Sequence, residues 1–408
     1  MHEIQGKDNK KSVKDFKLNT LLEITNAINN NLPEEQLFIL FEYILQNQLN
    51  IGKAVIFINQ DNVWQVVLQY NVKKEDLMIN IEHKLKKVTD ITVLNTARNG
   101  TSSSFDVVIP IHHQSKALAY LLLGDLDEQA RTPSPIIKHL GFIQTLANIT
   151  AVAVENKRLE REHLEQEKLM QELRMANQMQ EMLLPKQLPD NKKLQISAFY
   201  KPHLEVGGDF YDVIEISETE TVICMADVSG KGISAALMMA NFQAHLRANL
   251  KVESDLEVVM NNLNDVVWSN AFGDRYITCF MAKYDSNSRV LEYINAAHPA
   301  AQLIQNKRIK ELGQGCVGLG MFEQIPTINK TSIVIAKSST MMLYTDGITE
   351  TVDDSEIQFQ DGEMQKALKN ISQQETQVIN TMLMDALDKF RGKNPYTDDV
   401  ALISCRFF

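Results

Sequence analysis

Cysteine is scarce in this chain: 408 residues carry four, Cys224, Cys279, Cys316 and Cys405, with no C-x-x-C spacing among them. That excludes a disulfide framework and a thiolate zinc site, and the apolar runs around these residues mark them as core positions of a reduced, cytoplasmic protein. No cysteine precedes Asp190, so a thioether-linked bilin chromophore is excluded from the amino-terminal half. Basic residues are not in excess. With 41 Lys and Arg against 52 Asp and Glu, the formal net charge is −11, the wrong sign for a phosphate backbone, and no nucleic-acid partner is expected. A run of the roughly 20 apolar residues that span a membrane is missing, and MHEIQGKDNKKSVKD has no apolar signal-peptide core, so no membrane partner is expected. The remaining composition, 44% hydrophobic and 23% charged, is that of an ordinary globular protein. Its length calls for two domains and a connector.

What the sequence does have is a set of aspartates at the ends of apolar runs. They fall in GGDFYD (Gly207 to Asp212), MADVSGKG (Met225 to Gly232), LYTDGITE (Leu343 to Glu350) and YTDDVALIS (Tyr396 to Ser404). Asp-Gly and Gly-Gly-Asp are common turn residues, and each motif alone is consistent with a turn. Together they are not. Asp227 follows VICMA, Asp346 follows MMLYT, and Asp398 with Asp399 precedes VALIS, which sets each carboxylate at the rim of a buried strand. Half-burying several like charges costs several kcal/mol unless a cation neutralises them. Carboxylate and carbonyl oxygens are the donors that hard divalent cations take.

The order of these motifs, from EVGGDFYD through ADVSGKGISAAL and NAAHPA to LYTDGITE and TDDVAL, resembles the SpoIIE-type serine phosphatases, a bacterial branch of the metal-dependent protein phosphatase 2C family. The resemblance covers about Ser197 to Phe408. It implies two Mn²⁺ or Mg²⁺ ions bridged by Asp227, with the Val228 carbonyl on the second ion, Asp346 and Asp398 completing the first, and Asp209 holding metal-associated water. Asp399 is the alternative to Asp398 as ligand. A water shared by two cations attacks phosphorus without a side-chain nucleophile, and no motif supports a phosphoenzyme route. GGDF at Gly207 to Phe210 also invites comparison with diguanylate cyclases, but the second acidic residue of that signature is absent and the later aspartates would have no role.

Three further residues stand near these motifs. Lys231 lies in the Gly-rich turn before an amphipathic helix, where it is either a phosphate contact or a solvated charge. Ser234 occupies a position that the family often fills with proline, a change that a helix start tolerates. His298 in NAAHPA follows Ala297 where the family usually has glycine, and alanine resists the positive φ that glycine permits.

Residues 15–154 read as a sensor module. FKLNTLLEITNAINN and PEEQLFILFEYILQNQLN have helical spacing, while KAVIFIN, NVWQVVLQY, FDVVIPIHH and KALAYLLLGDL alternate as strands. Two helices leading a mostly antiparallel sheet resemble a GAF domain. His112 and His113 are adjacent on a strand, point to opposite faces and cannot share an ion. After PSPI at Pro133 a long helix follows, its first half apolar enough to pack on the sensor module and its second half polar, with Leu159, Leu169, Leu173, Ala176 and Leu183 near a heptad seam broken at Gln166 and Gln180. A helix so polar is poorly stable alone, which predicts a two-chain coiled coil. Leu-Leu-Pro-Lys-Gln-Leu-Pro then halts it, a segment that also resembles sensor-linked SpoIIE-type enzymes.

The expected fold class is α+β: a flexible tail (1–14), a GAF-like sensor domain (15–154), a helical coiled-coil linker (155–189) and an α-β-β-α sandwich of the protein phosphatase 2C type (190–408). The expected function is a metal-dependent phosphoserine/phosphothreonine protein phosphatase, a homodimer through the sensor and coiled coil. By resemblance its substrate is a phosphorylated STAS-type anti-sigma-factor antagonist. The competing possibility is a phosphoprotein-binding scaffold with an inactive phosphatase domain.

Overall fold

The structure, a computed structural model, describes residues 2–60, 63–94, 104–113, 116–124, 135–271, 273–306, 308–371 and 374–408. The chain divides into two compact units, residues 1–167 and 168–408.

In the first unit α1 (His2–Asn29) and α2 (Glu34–Tyr43) lead into β1 (Lys53–Gln60) and β2 (Val63–Tyr70). After them come the short α3 (Ile81–Lys84), β3 (Thr92–Val93), β4 (Val107–His113) and β5 (Lys116–Gly124). The first fourteen residues, expected as a tail, are helical from His2, since no proline interrupts the chain before Pro33. The antiparallel sheet runs β2-β1-β5-β4-β3. Alternation along β1 decides its two faces: Ala54, Ile56 and Ile58 join a core with Ile24, Leu37, Phe41 and Leu146, while Val55 and Phe57 pack with Ile81, Phe105 and Tyr120. His112 and His113 end β4 beside a break in register.

The long helix α4 (Pro135–Leu183) has 49 residues. One 18-residue window of it reaches a mean hydropathy of 1.2 and meets the length and composition of a membrane span, contrary to the expectation that no stretch would. Core burial gives this hydropathy its purpose: Ile136, Ile143, Leu146, Ala147, Ala151 and Val154 pack in the first unit.

The second unit is four layers deep. Its strands and helices in order are β6 (Leu194–Lys201), β7 (Phe210–Glu215), β8 (Glu220–Val228), α5 (Ile233–Leu250), α6 (Leu256–Ala271), β9 (Ile277–Asp285), β10 (Val290–Ala296), β11 (Ala301–Gln305) and β12 (Arg308–Leu312). They continue with β13 (Gly315–Cys316), β14 (Thr331–Val334), β15 (Ser339–Tyr344), α7 (Asp346–Thr349), α8 (Gln360–Ile371), α9 (Thr376–Arg391) and β16 (Val400–Phe407). One sheet runs β13-β10-β9-β8-β7 with β14 also on β10, and the other β12-β11-β15-β16-β6. Ile223, Met225, Phe280, Leu343 and Ile403 fill the space between the sheets. Helices α5 and α6 cover the outer face of the first sheet through Val222, Cys224, Met239 and Leu263, and α8 and α9 cover the second through Met342, Leu402, Leu368 and Leu383. This is the α-β-β-α order expected. Each Leu, Ile or Phe so enclosed contributes about 1.5–3 kcal/mol, which is why β8, β15 and β16 read as unbroken apolar runs.

Cys224, Cys279 and Cys405 are buried, Cys316 is half-buried, and all four are free thiols. Cys224 and Cys279 lie 3.6 Å apart, sulfur to sulfur, on adjacent strands.

The turn from β10 to β11 crosses between the sheets. Ala297 adopts φ +54° there, the left-handed conformation that costs a residue with a Cβ about 1–2 kcal/mol. Asn295 enforces it: its Oδ1 accepts from the His298 N–H at 2.7 Å, and its Nδ2 donates to the His298 carbonyl at 2.9 Å. Ala297→Gly therefore raises stability by about 1 kcal/mol, after the larger entropy of the unfolded glycine is deducted. Thermal unfolding of the second unit, followed by Trp268 fluorescence in a Trp64→Phe background, measures it, and an unchanged or lowered midpoint counts against strain at this turn.

Candidate active site

The same alternation that builds the core delivers the carboxylates. On β8, Ile223 and Met225 face the inter-sheet space, so Asp227, two residues on, faces it at the strand end. On β15, Met341 and Leu343 do likewise, and the next odd position is Thr345, followed by Asp346 in the helical turn α7. Asp398 and Asp399 immediately precede β16, and Asp209 precedes β7. Four strand ends thus meet at one mouth of the sandwich.

Asp209 is buried, and its Oδ2 accepts a 2.6 Å hydrogen bond from the Thr345 hydroxyl. Thr345 Oγ1 in turn accepts from the Ala401 N–H at 2.9 Å, tying the β7 entrance to β15 and β16. Burial, then the charges of Asp227 and Asp399, push the Asp209 carboxyl well above the usual carboxylate range. Asp227 is pushed up to about 7 by burial and then by Asp346 and Asp398, partly offset by a hydrogen bond with Asp209. Asp346 rises to about 6, from burial, Glu350 and Asp398.

The Asp-Asp pair separates into two roles. Asp399 is buried and turned to the backbone of residues 203–209: its Oδ1 accepts from His203 N–H at 2.7 Å, and its Oδ2 from Gly208 N–H at 2.7 Å and Asp209 N–H at 3.4 Å. Asp398 is more open, and its Oδ2 lies 2.8 Å from Lys231 Nζ, which also donates to the Thr397 carbonyl at 2.8 Å. The two glycines before Asp209 are there for space. A Cβ on Gly207 would stand 2.3 Å from the Tyr200 hydroxyl and 2.4 Å from Asp399 Oδ2, and one on Gly208 would stand 3.0 Å from the Val228 carbonyl. Gly347 is required in the same way, since its Cβ would fall 1.8 Å from the Asp399 carbonyl oxygen.

A second set of contacts holds this loop from the amino-terminal side. Gln180, near the end of α4, donates to the Gly207 carbonyl at 2.7 Å and accepts from the Gly207 N–H at 3.1 Å; Asn177 donates to the Glu205 carbonyl at 2.6 Å. Leu173 and Ala176 are half-buried beside them. Part of the heptad seam expected for a second helix is thus turned to the second unit itself, and the polar gap at Gln180 is its most enclosed position. Leu159 and Leu169 are exposed, as are Met175, Met179 and Met182.

Thr345 carried no signal in the sequence, and Gln180 stood out only as a polar break in the heptad seam. Asp212, in the GGDFYD motif, faces away from the mouth and is clamped by Arg247 at 2.7 and 2.8 Å.

Among the described residues no three His, Cys, Asp or Glu side chains form a ready-made metal cage. Asp209 bonds instead to Thr345, Asp398 to Lys231, and Asp399 to backbone N–H groups of residues 203–209. The donor set nonetheless suits a hard cation: only oxygens, three carboxyl groups raised by burial and mutual repulsion, and a backbone carbonyl, Val228, at the same mouth.

Residues 217–408 match the family model of stage II sporulation protein E (SpoIIE). The second unit is a SpoIIE-family domain. Over 180 residues the chain is 28% identical to phosphoserine phosphatase RsbU of Bacillus subtilis, covering 44% of this chain and 53% of RsbU. Over 261 residues it is 26% identical to protein IcfG of Synechocystis, covering 57% of this chain and 41% of IcfG. The chain spans about half the length of these curated relatives. The PP2C domain of SiaA from Pseudomonas aeruginosa superposes with a TM-score of 0.54 at 21% identity, over 60% of this chain and 98% of that domain, which establishes the PP2C-type fold of the SpoIIE-family domain.

The raised carboxyl groups set a pH dependence. Their folded pKa values exceed the unfolded value of 3.8, so the folded state holds extra protons between about pH 4 and 7 and loses stability as pH rises through that window. A divalent cation must displace those protons, so it binds more tightly at higher pH. Thermal midpoints with and without Mn²⁺ should show a larger metal-induced rise at pH 8 than at pH 5.5. Equal rises at the two values contradict the raised carboxyls.

Proposed function

We propose that the SpoIIE-family domain is a Mn²⁺- or Mg²⁺-dependent phosphoserine/phosphothreonine protein phosphatase. The observation that carries this is the meeting of Asp209, Asp227 and Asp346 at one mouth, each held above its ordinary pKa by burial first and then by neighbouring carboxylates. Asp227, Asp346 and Asp398, with the Val228 carbonyl, would hold two cations, and Asp209 would orient water. When bound, the cations supply an acidified water and neutralise charge on the phosphate oxygens. The chain's own part is placement: Thr345 fixes the Asp209 carboxylate, and Asp399 serves as anchor of the 203–209 loop, leaving Asp398 as the ligand. Asp398 is free for that role once Lys231 releases it, and the ammonium is then at hand for a substrate phosphate.

The first unit is proposed as a GAF-like sensor acting through α4, in a cytoplasmic homodimer with the exposed Leu159, Leu169, Met175, Met179 and Met182 toward a second copy. The substrate is proposed as a phosphorylated STAS-type anti-sigma-factor antagonist, which the similarity to a phosphoserine phosphatase supports.

Hydrolysis of p-nitrophenyl phosphate by the full chain should require Mn²⁺ and fall by at least about a hundredfold in Asp227→Asn and Asp346→Asn. Wild-type protein that binds Mn²⁺ and phosphoprotein yet turns over neither substrate would identify a phosphoprotein-binding scaffold instead. The α4 contact has its own test. Gln180→Leu, which removes both bonds to Gly207 without opening a hole, should change turnover about tenfold or more while the protein stays folded. Unchanged turnover would disconnect α4 from catalysis.

A further inference from the structure

We propose that the exposed face at the start of α5, together with the loop that leads into β9, is the surface on which the protein substrate docks; this rests on the phosphatase function proposed above and adds where its selectivity lies. Helix α5 buries Ala235, Met239, Phe242 and Leu246. Its opposite face is left to solvent, and at i, i+4 spacing that face carries Ile233, 53% exposed, and Leu237, 68% exposed. Next to them is a hollow of about 440 Å³, lined by Ser234, Leu237 and Asn241 of α5, Asn270 of α6, and Asp274 and Arg275 of the loop. Asn270 Nδ2 donates to Asn241 Oδ1 at 3.1 Å, which ties the two helices together there.

This surface is fastened to the turn that leaves the candidate metal ligands. Ser229, two residues after Asp227, donates its N–H to the Tyr276 carbonyl at 2.9 Å, and its Oγ accepts from the Tyr276 N–H at 2.9 Å. Arg275, half-buried, donates to the Ser229 carbonyl at 3.3 Å; among the described residues it pairs with no carboxylate, although Asp274 precedes it. In a chain with 52 acidic and 41 basic residues, a guanidinium without an acidic partner is available to a carboxylate or phosphate from outside. Lys231, exposed in the same turn, adds a second positive charge at the rim, where its partner is the candidate ligand Asp398. Two cations beside an apolar pair complement a phosphoprotein whose phosphoserine is bordered by acidic and apolar side chains. Ile233 follows Asp227 by six positions, at most about 20 Å of chain. A folded domain about 30 Å across that presents its phosphoserine to the mouth is wide enough to cover it. The phosphate itself cannot distinguish one phosphoprotein from another, so contacts outside the mouth must. A single exposed leucine needs no explanation; the apolar pair, the hollow and the unpaired guanidinium on one face mark this surface.

Steady-state kinetics of the full chain with Mn²⁺ on two substrates tests this. One is p-nitrophenyl phosphate, which engages the mouth alone; the other is a serine-phosphorylated STAS domain, the substrate class proposed above. Leu237→Asp sets a charge in the apolar pair without touching the core, and Arg275→Gln removes the cation. Each should raise KM for the phosphoprotein by about tenfold or more, with kcat for it and both constants for p-nitrophenyl phosphate within about twofold of wild type. Phosphoprotein KM values within about twofold of wild type in both variants would overturn the surface and leave the phosphatase standing. An equal fall with both substrates would overturn it too, since the residues would then act on the mouth. A monomeric Leu237→Asp, where the wild type sediments as a dimer, would give the face to a second copy instead. A wild type that turns over neither substrate would overturn the proposed function and the surface with it. One that turns over p-nitrophenyl phosphate alone would overturn the phosphoprotein occupant and leave the metal chemistry in place.

Discussion

Mutual repulsion among buried carboxylates is the constraint around which the second unit is organised. Asp209, buried, and Asp227 and Asp346, half-buried, sit at one end of the inter-sheet core, where screening by water is reduced and apolar packing offers no compensation. Burial and repulsion raise the proton affinity of these carboxyl groups, while Asp209 accepts a hydrogen bond from Thr345 and Asp398 pairs with Lys231. The rest of the unit supplies the opposing force: three apolar layers rigid enough to keep like charges together.

That rigidity comes from alternation carried to the strand ends. A strand buried on both faces has no latitude in register, because a one-residue slip would exchange its two sets of apolar side chains. Asp227 is therefore placed by Ile223 and Met225, and Thr345 by Met341 and Leu343. The loop bearing Asp209 has no such strand behind it. It is held by the buried Val206 and by hydrogen bonds, from Asp399 on one side and from Gln180 and Asn177 on the other. Of the elements that carry the candidate ligands, this loop is the one whose position depends on a helix that reaches it from outside the sandwich.

The sequence made legible what the chemistry requires to be a particular residue type. Aspartates after apolar runs, and the glycines beside them, admit few substitutes: a Cβ at Gly207 or Gly347 would collide with Asp399. The four-layer order was likewise readable, since strands buried on both faces cannot tolerate polar interruption. Residues whose role is geometric were hidden. Thr345 looks like any turn threonine, and the two members of the Asp-Asp pair could not be told apart until one was seen to accept three backbone N–H groups. Gln180 was misleading, because a polar residue in a heptad seam suggests an imperfect coiled coil when it is the most enclosed residue of that stretch. Periodicity records which face is buried and not what buries it.

Ala297 shows how such a unit tolerates departure from an ideal. Its left-handed backbone costs about 1–2 kcal/mol, yet the turn persists because Asn295 bonds to both sides of the next peptide and to the Leu312 carbonyl. Several hydrogen bonds of about 1 kcal/mol each outweigh one strained residue. The strain falls next to His298, whose place between the sheets depends on the path of that turn. A relaxed β-conformation at Ala297 would swing the imidazole away from Thr278. The strain at Ala297 is thus borne by the turn's own hydrogen bonds, and the turn still carries His298 Nδ1 to 2.9 Å from the Thr278 hydroxyl.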